Sequence, residues 1–296
     1  MNFRTDLAIE RREYKEKEKL DGVLSTFKTD NGVKVTTIEI INEKGEKLLS
    51  KPKGKYITVE TDSFEYGSDY FFSAVEAVSN QLRRLLPEKG SVLVAGLGNE
   101  DITPDALGPK TLSLLLATRH IDSELAESLG LGKLRNVAGI IPGVLGKTGI
   151  ETVEIISGVV KKIKPACVLV VDALASRSTA RLGTTVQMCD TGVEPGSGVG
   201  NKRKGIKKET LGVPVIAVGV PTVVDAVTMA LDVIESSDID VGEKEFMKKL
   251  REQKGMMVTP KEVDNLIDKA AHLIALSINR ALQPNLAIKD IMAIVG

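Results

Sequence analysis

The chain has 296 residues, with 40 basic and 40 acidic side chains that cancel, 42% hydrophobic content and two histidines. That size allows one large α/β domain or two smaller ones around a sizeable core, and the balanced charge excludes a global field toward nucleic acid or membrane. Cys167 and Cys189 lie in apolar runs, where cysteine is a small core residue, so no disulfide framework is expected. The segment MNFRTDLAIERREYKEKEK lacks the apolar core of a signal peptide, and no run reaches the roughly 18 apolar residues of a membrane span. A cytoplasmic location is expected.

In chain order, residues 1 to about 20 carry dense mixed charge broken by one apolar patch, Leu7 to Ile9, and read as a frayed helix. Val33 to Ile41 and Tyr56 to Glu60 alternate in polarity and read as a hairpin or meander joined by the turn-like NEKGE. Ser68 to Leu86 has helical spacing. Ser91 to Ala95 is a buried strand, followed by a glycine turn and a helix opened by Thr103 and Pro104 and continued through Leu107 to Leu116. Leu134 to Pro142 is a short strand and Gly149 to Ile163 a helix. Ala166 to Asp172, Thr184 to Cys189 and Val213 to Val220 are further strands, the first and last fully apolar as in parallel sheets. Thr222 to Ile234 is a helix behind Pro221, and Lys244 to Gln253, Pro260 to Leu282 and Ala287 to Val295 are helical patterns. Alternating strand and helix predict an α/β fold: a mostly parallel central sheet with helices on both faces, an N-terminal hairpin or meander and C-terminal helices, in a single domain with an N-terminal extension.

Several chemistries find no support. Neither His120 nor His272 has metal-ligand spacing, and HExxH, CxxC and the G-x-S-x-G elbow are all absent. The pair Gly96 and Gly98 in GLGNEDITPD opens like a dinucleotide fingerprint, but Asp101 stands where the third glycine would be. The loop GSGVGNKRKGIKK, with Lys202, Arg203 and Lys204, offers basic charge without interleaved aromatics. DTG at Asp190 to Gly192 matches the pepsin-like motif, but those folds are all-β, and a turn with a local backbone bond from Asp190 is the better reading.

What remains is acids at strand ends. Asp105 follows one apolar strand, at a helix start set up by Gly96, Gly98, Asn99 and Thr103. Asp172 ends another. In a parallel sheet both project at the same edge, where two carboxylates can share a proton and divide the roles of base and acid. The helix N-terminus favours Asp105 as the ionised base, and the apolar strand favours Asp172 as the proton-bearing acid. Asp225 after the Val213 to Val220 strand is a candidate supporting residue, or a solvent-facing one. Two alternatives stay open: a metal-assisted peptidase with the same acids as ligands, and a non-hydrolytic nucleotide-binding module using the GLG turn and the basic loop.

The segments VAGLGNEDITPDALGP, VVDALASRS, DTGVEPGSGVGNKR and VGVPTVVDA resemble the signature blocks of the germination protease family of endospore-forming bacteria, and the resemblance runs along essentially the whole chain. It implies an α/β fold related to the hydrogenase-maturation peptidases and a homotetramer in the spore core. The implied activity is an endopeptidase that degrades small acid-soluble spore proteins, with no cofactor, metal, direct nucleic-acid partner or membrane. The family's two catalytic aspartates match Asp105 and Asp172. The family is also made as a zymogen that removes its own N-terminal segment. RTDLAIE resembles both that processing site and the substrate pattern acid, apolar, Ala, any, Glu. The implied cut lies between Asp6 and Leu7, dividing a propeptide at 1–6 from a peptidase domain at 7–296. Arg177, Arg181 and the Lys202 to Lys204 loop are candidates for reading the substrate's glutamates through charge-assisted contacts.

Overall fold

Long apolar runs and amphipathic helices dictate most of the architecture. The computed structural model describes residues 4–15, 20–30, 32–196, 203–236 and 255–295. In chain order these form α1 (Ala8–Glu13), β1 (Val23–Asp30), β2 (Val33–Ile40), α2 (Glu43–Leu49), β3 (Gly54–Glu60), α3 (Asp69–Leu85) and β4 (Val92–Gly96). A 3-10 turn, Thr103–Asp105, leads to α4 (Leu107–Ser113), α5 (Ser123–Ser128), β5 (Val137–Ile140), α6 (Leu145–Thr148), α7 (Thr152–Ile163) and β6 (Cys167–Ser176). Then come β7 (Thr185–Cys189), α8 (Lys208–Leu211), β8 (Val215–Asp225), α9 (Ala226–Ser236), β9 (Met257–Val258), α10 (Val263–Leu282) and α11 (Ile288–Val295).

The strands make one nine-stranded mixed sheet in the order β1-β2-β3-β7-β8-β6-β4-β5, with β9 paired to β8. From β5 through β4 and β6 to β8 the pairing is parallel. From β8 through β7, β3 and β2 to β1 it is antiparallel. The N-terminal meander is therefore no appendage: β7 bonds it edge to edge to the parallel half.

Alternation along β6 sends Cys167, Leu169 and Val171 to one face, under α3, α4 and α10, and Val168 and Val170 to the other, under α7. Around α1 and α2 a third apolar cluster gathers Leu7, Ala8, Ile9, Ile38, Ile40, Leu49 and Tyr56. Among the described residues no helix is long and apolar enough to cross a membrane.

Four elements depart from the expectations. NEKGE is no turn but the start of α2, because the Asn42 side chain accepts the Gly45 N–H at 3.0 Å and caps a helix between β2 and β3. The residues after Pro221 continue β8 as far as Asp225: β-branched Thr222, Val223 and Val224 sustain the strand, and the helix starts only at Ala226. Asp105 ends a separate 3-10 turn just ahead of α4 rather than standing at the start of one continuous helix. Within the charged N-terminus the helix is Ala8–Glu13, and it is anchored rather than solvated, with Ala8, Ile9 and Glu10 buried. The helical pattern Lys244 to Gln253 lies outside the described residues.

Candidate active site

Close packing of backbone on backbone positions Asp105. Gly98 has φ +113°, and a Cβ there would stand 1.9 Å from the Asp105 carbonyl oxygen. Gly96 abuts Gly108 in the same way, with a Cβ only 2.4 Å from the Gly108 carbonyl oxygen. So Gly108 at the start of α4, rather than a residue at position 101, allows the close approach of helix and strand. The bare faces of this turn are filled by the chain itself, which leaves no pyrophosphate cradle. Asn99 N–H donates to Asp105 Oδ2 at 2.8 Å, and the side chain of Asn99 accepts from Asp101 N–H at 3.2 Å. Thr103 contributes its carbonyl oxygen to Ala106 N–H at 3.0 Å, closing the 3-10 turn. On the next strand Thr222 is the extra residue of a bulge in β8, since Pro221 pairs with Leu174 and Val223 with Ala175. Its hydroxyl donates to the Pro104 carbonyl oxygen at 2.8 Å and so ties β8 to the turn that carries Asp105.

Asp172 lies on β6 in register with Gly219 of β8, which is in turn in register with Gln187 of β7. The three share one cross-strand row, so Asp172 and Gln187 project from the same face, about 10 Å apart at two strand spacings. Between them Gly219 offers no side chain. A Cβ at Gly219 would stand 2.4 Å from the Asp172 carbonyl oxygen.

Both acids hold their protons more tightly than ordinary carboxyls. Burial pushes Asp172 well up, and the carboxylates of Asp105 and Asp6 push it further. Asp105 is half-buried, and its affinity for a proton is raised by burial but restrained by the Asn99 N–H and by the charge of Arg203. Of the two, Asp172 is the better proton holder. Burial thus raises Asp105 as well, against the effect expected of a helix start alone.

The chain's own residues 4–10 run over this row. Asp6 N–H donates to the Ala175 carbonyl at 2.8 Å, and Ala175 N–H returns a bond to Asp6 Oδ2 at 2.9 Å. Gln187 brackets the Asp6–Leu7 peptide: its Nε2 donates to the Asp6 carbonyl oxygen at 2.9 Å, and its Oε1 accepts Ala8 N–H at 2.6 Å. Leu7 N–H donates to Thr5 Oγ1 at 3.0 Å, and the Leu7 side chain is fully buried in the third apolar cluster. Burial of that side chain contributes about 1.5–3 kcal/mol to seating the segment. Lys51 lies within Coulombic reach of Asp6. Burial lowers the proton affinity of its ammonium, and the Asp6 carboxylate opposes that.

The expected charged readers fall into two groups. Glu10 is buried, accepts the backbone N–H groups of Arg177 at 2.7 Å and Ser178 at 3.0 Å together with the Thr5 hydroxyl, and pairs ionically with the Arg181 guanidinium at 3.4 Å. Arg181 also forks onto Glu13 at 2.7 and 2.8 Å and reaches Glu60 at 3.2 Å. Burial works against its charge, but the three carboxylates outweigh burial and hold it protonated. The Arg177 side chain turns to Asp232 at 2.8 Å. A cleft of about 670 Å³ opens beside Glu10, Glu13, Arg177 and Arg181. In the basic loop, Arg203 acts on Asp105 electrostatically, Lys204 is exposed, and Lys202 lies outside the described residues.

Asp225 is buried rather than solvent-facing. It accepts Thr228 N–H at 2.9 Å and pairs with Arg4 at 3.2 Å, so it supports the N-terminal segment. Asp190 of the DTG tripeptide accepts Lys55 N–H at 2.8 Å, a partner across the sheet and not the local one expected. Cys167 and Cys189 are free and buried, and both histidines are exposed. Among the described residues no three or more His, Cys, Asp or Glu gather in a group that could hold a metal ion.

Sequence reasoning missed Gln187, Lys51, Thr222, Gly108 and Gly219. Gln187 alone carried a usable signal, as the one long polar side chain inside the otherwise apolar strand TVQMC.

The Peptidase_A25 family model, described as germination protease, matches residues 4–255. Among curated relatives, the germination protease of Clostridium perfringens (strain SM101 / Type A) is 44% identical, covering 98% of this chain and 98% of its own. That of Caldanaerobacter subterraneus subsp. tengcongensis is 44% identical over 98% and 97%, and that of Bacillus pumilus 38% identical over 96% and 94%. Among solved structures, the NiFe hydrogenase maturation protease HycI from Thermococcus kodakarensis KOD1 aligns with 67% of this chain and 98% of its own at 18% identity and a TM-score of 0.36. A family match across residues 4–255, with relatives matched over nearly their full length, establishes that the chain belongs to the germination protease family of peptidases.

Proposed function

We propose that this protein is an endopeptidase that begins the degradation of small acid-soluble spore proteins during germination, and that it is made as a zymogen that cuts itself between Asp6 and Leu7. The observation that carries the proposal is the seat of residues 4–10: Gln187, which shares a cross-strand row with Asp172, holds the Asp6 carbonyl oxygen, Ala175 on the strand of Asp172 pairs with Asp6, and the Asp6 charge raises the proton affinity of Asp172. On this reading residues 1–6 are the propeptide and 7–296 the peptidase. The substrate pattern acid, apolar, Ala, any, Glu is the one spelled by Asp6 to Glu10. The enzyme works as a tetramer in the cytoplasm of the spore core, with no direct nucleic-acid partner.

The chemistry is that of an aspartate dyad. Asp105, ionised, takes a proton from water as the water oxygen bonds to the Asp6 carbonyl carbon. Asp172 gives its proton to the Leu7 nitrogen as the C–N bond breaks, leaving a new carboxyl at Asp6 and an amine at Leu7. The dyad then exchanges its proton with solvent to reset. The tighter hold of Asp172 on its proton, with Arg203 and the Asn99 N–H favouring the charge of Asp105, supports this division.

N-terminal sequencing after acidic or dehydrating incubation tests both parts. A new terminus at Leu7 that is absent from Asp105→Asn supports the reading. A stable intact chain, or a cut that survives in Asp105→Asn, overturns it.

A further inference from the structure

We propose that Gln187 is a third catalytic residue, the donor that stabilises the oxyanion formed at the scissile carbonyl. The inference rests on the Asp6–Leu7 bond being the one cut. Asp6 O is the oxygen that becomes negative when water adds to its carbon, and Gln187 Nε2 already donates to it at 2.9 Å. A preorganised amide N–H on a nearly buried side chain, aimed at that atom, strengthens as charge develops.

The orientation of the Gln187 amide is dictated by its partners. Asp6 O can only accept and Ala8 N–H can only donate, so the amide nitrogen must face the carbonyl and the amide oxygen must face Ala8, 2.6 Å away. The residue is nearly fully buried on β7, which is locked between β3 and β8, so its position costs no reorganisation during the reaction. Gly219 stands between Gln187 and Asp172 in the cross-strand row, and the space a side chain would take there is filled by the Asp172 carbonyl oxygen and the Leu174 side chain. Three groups then address three atoms of one reaction: Asp105 the water, Asp172 the leaving nitrogen, Gln187 the carbonyl oxygen.

Because the segment is already seated, self-cutting in the full-length chain is first order and its rate reads the chemical step. Gln187→Ala, and the near-isosteric Gln187→Glu should the alanine variant not fold, are expected to slow formation of the Leu7 terminus by about 10²–10³-fold. The glutamate variant should regain rate relative to wild type as pH falls, since a protonated carboxyl donates to the carbonyl again. Trypsin cleavage after Arg4, scored in the same samples, reports whether the segment stays seated. Slowing with protection at Arg4 retained, and acid recovery in the glutamate variant, support the role. Rates within about threefold of wild type, a glutamate-to-wild-type ratio that is flat with pH, or slowing that merely tracks lost protection would overturn it while leaving the dyad intact. A wild-type chain that never forms the Leu7 terminus would remove the functional reading, and the role of Gln187 with it.

Discussion

Asp105 Oδ2 accepts the N–H of Asn99 at 2.8 Å, so the loop that Gly98 bends is tied to the carboxylate that the bend positions. An amide oxygen at position 105 can still accept that bond, so Asp105→Asn should fold normally yet lose the proton acceptor. Loss of a general base or acid costs about 10²–10⁴-fold, and Asp105→Asn and Asp172→Asn should each slow appearance of the Leu7 terminus by that much or more. Mass spectrometry over a time course measures this, with far-ultraviolet circular dichroism as the control for folding. Near-wild-type cutting by either variant would remove the dyad.

Asp172 also leaves a stability signature. Its carboxyl holds a proton in the fold well above the ordinary range, first because it is buried and then because of Asp105 and Asp6. In the unfolded chain it ionises near pH 3.9. As pH rises above about 4 the unfolded state releases a proton that the native state keeps, so stability is lost up to the raised native value and is level beyond it. Asparagine has no such proton. Asp172→Asn should therefore unfold about 2–5 °C above wild type at neutral pH, with the two midpoints converging below about pH 4. Melting curves across pH decide it, and a lower midpoint for the variant at neutral pH would contradict the buried, protonated acid.

Glu10 satisfies the backbone N–H groups of Arg177 and Ser178 and one arm of Arg181. Glu10→Ala leaves those buried donors without an acceptor, at a cost of about 2–4 kcal/mol, which should fall on the seating of residues 4–10. Faster trypsin cleavage after Arg4 at an unchanged global melting temperature is the expected outcome. Unchanged protection would mean that the seat does not depend on Glu10.

Glycine substitutions separate shape from chemistry. An alanine at Gly98 meets the Asp105 carbonyl oxygen at 1.9 Å, and one at Gly219 meets that of Asp172 at 2.4 Å. Each should cost about 1–3 kcal/mol and should also impair cutting, because the displaced backbone carries a carboxylate of the proposed dyad. Gly158 in α7 has open space around it, so Gly158→Ala should stabilise by about 0.5–1 kcal/mol and leave cutting unchanged. Denaturant titrations alongside cutting rates test the contrast, and equal effects at all three positions would refute it.

The central strands were legible because burial on both faces demands unbroken apolar runs, as in CVLVVD and VIAVGV. Those runs also marked Asp172, the acid that closes the apolar stretch, although it does not end the strand: β6 runs on to Ser176 through its pairing with β8. β1 was not legible. VLSTFKTD is an edge strand whose Leu24 and Phe27 stay exposed, so no alternation imposes itself on its sequence. The helical reading after Pro221 failed because proline opens helices in isolation, whereas here the pairing of β8 with β6 extends past it. The seat of residues 4–10 was hidden for a different reason. Its donors are backbone N–H groups and one glutamine, brought together by register, and register between distant strands leaves no local pattern.

The bonds that seat the N-terminal segment span most of the chain. Asp6 reaches Ala175 and Gln187 across separations of 169 and 181 residues, and Arg4 reaches Asp225 across 221. The segment and the groups that grip it are thus far apart in sequence, and the seat forms only when distant strands come together. Neither seat nor sheet can close until β7 has zipped the N-terminal meander to the parallel strands. On the proposed reading the fold thereby acts as a checkpoint, because a chain in which β7 has not joined the sheet lacks the Gln187 grip on the Asp6–Leu7 bond.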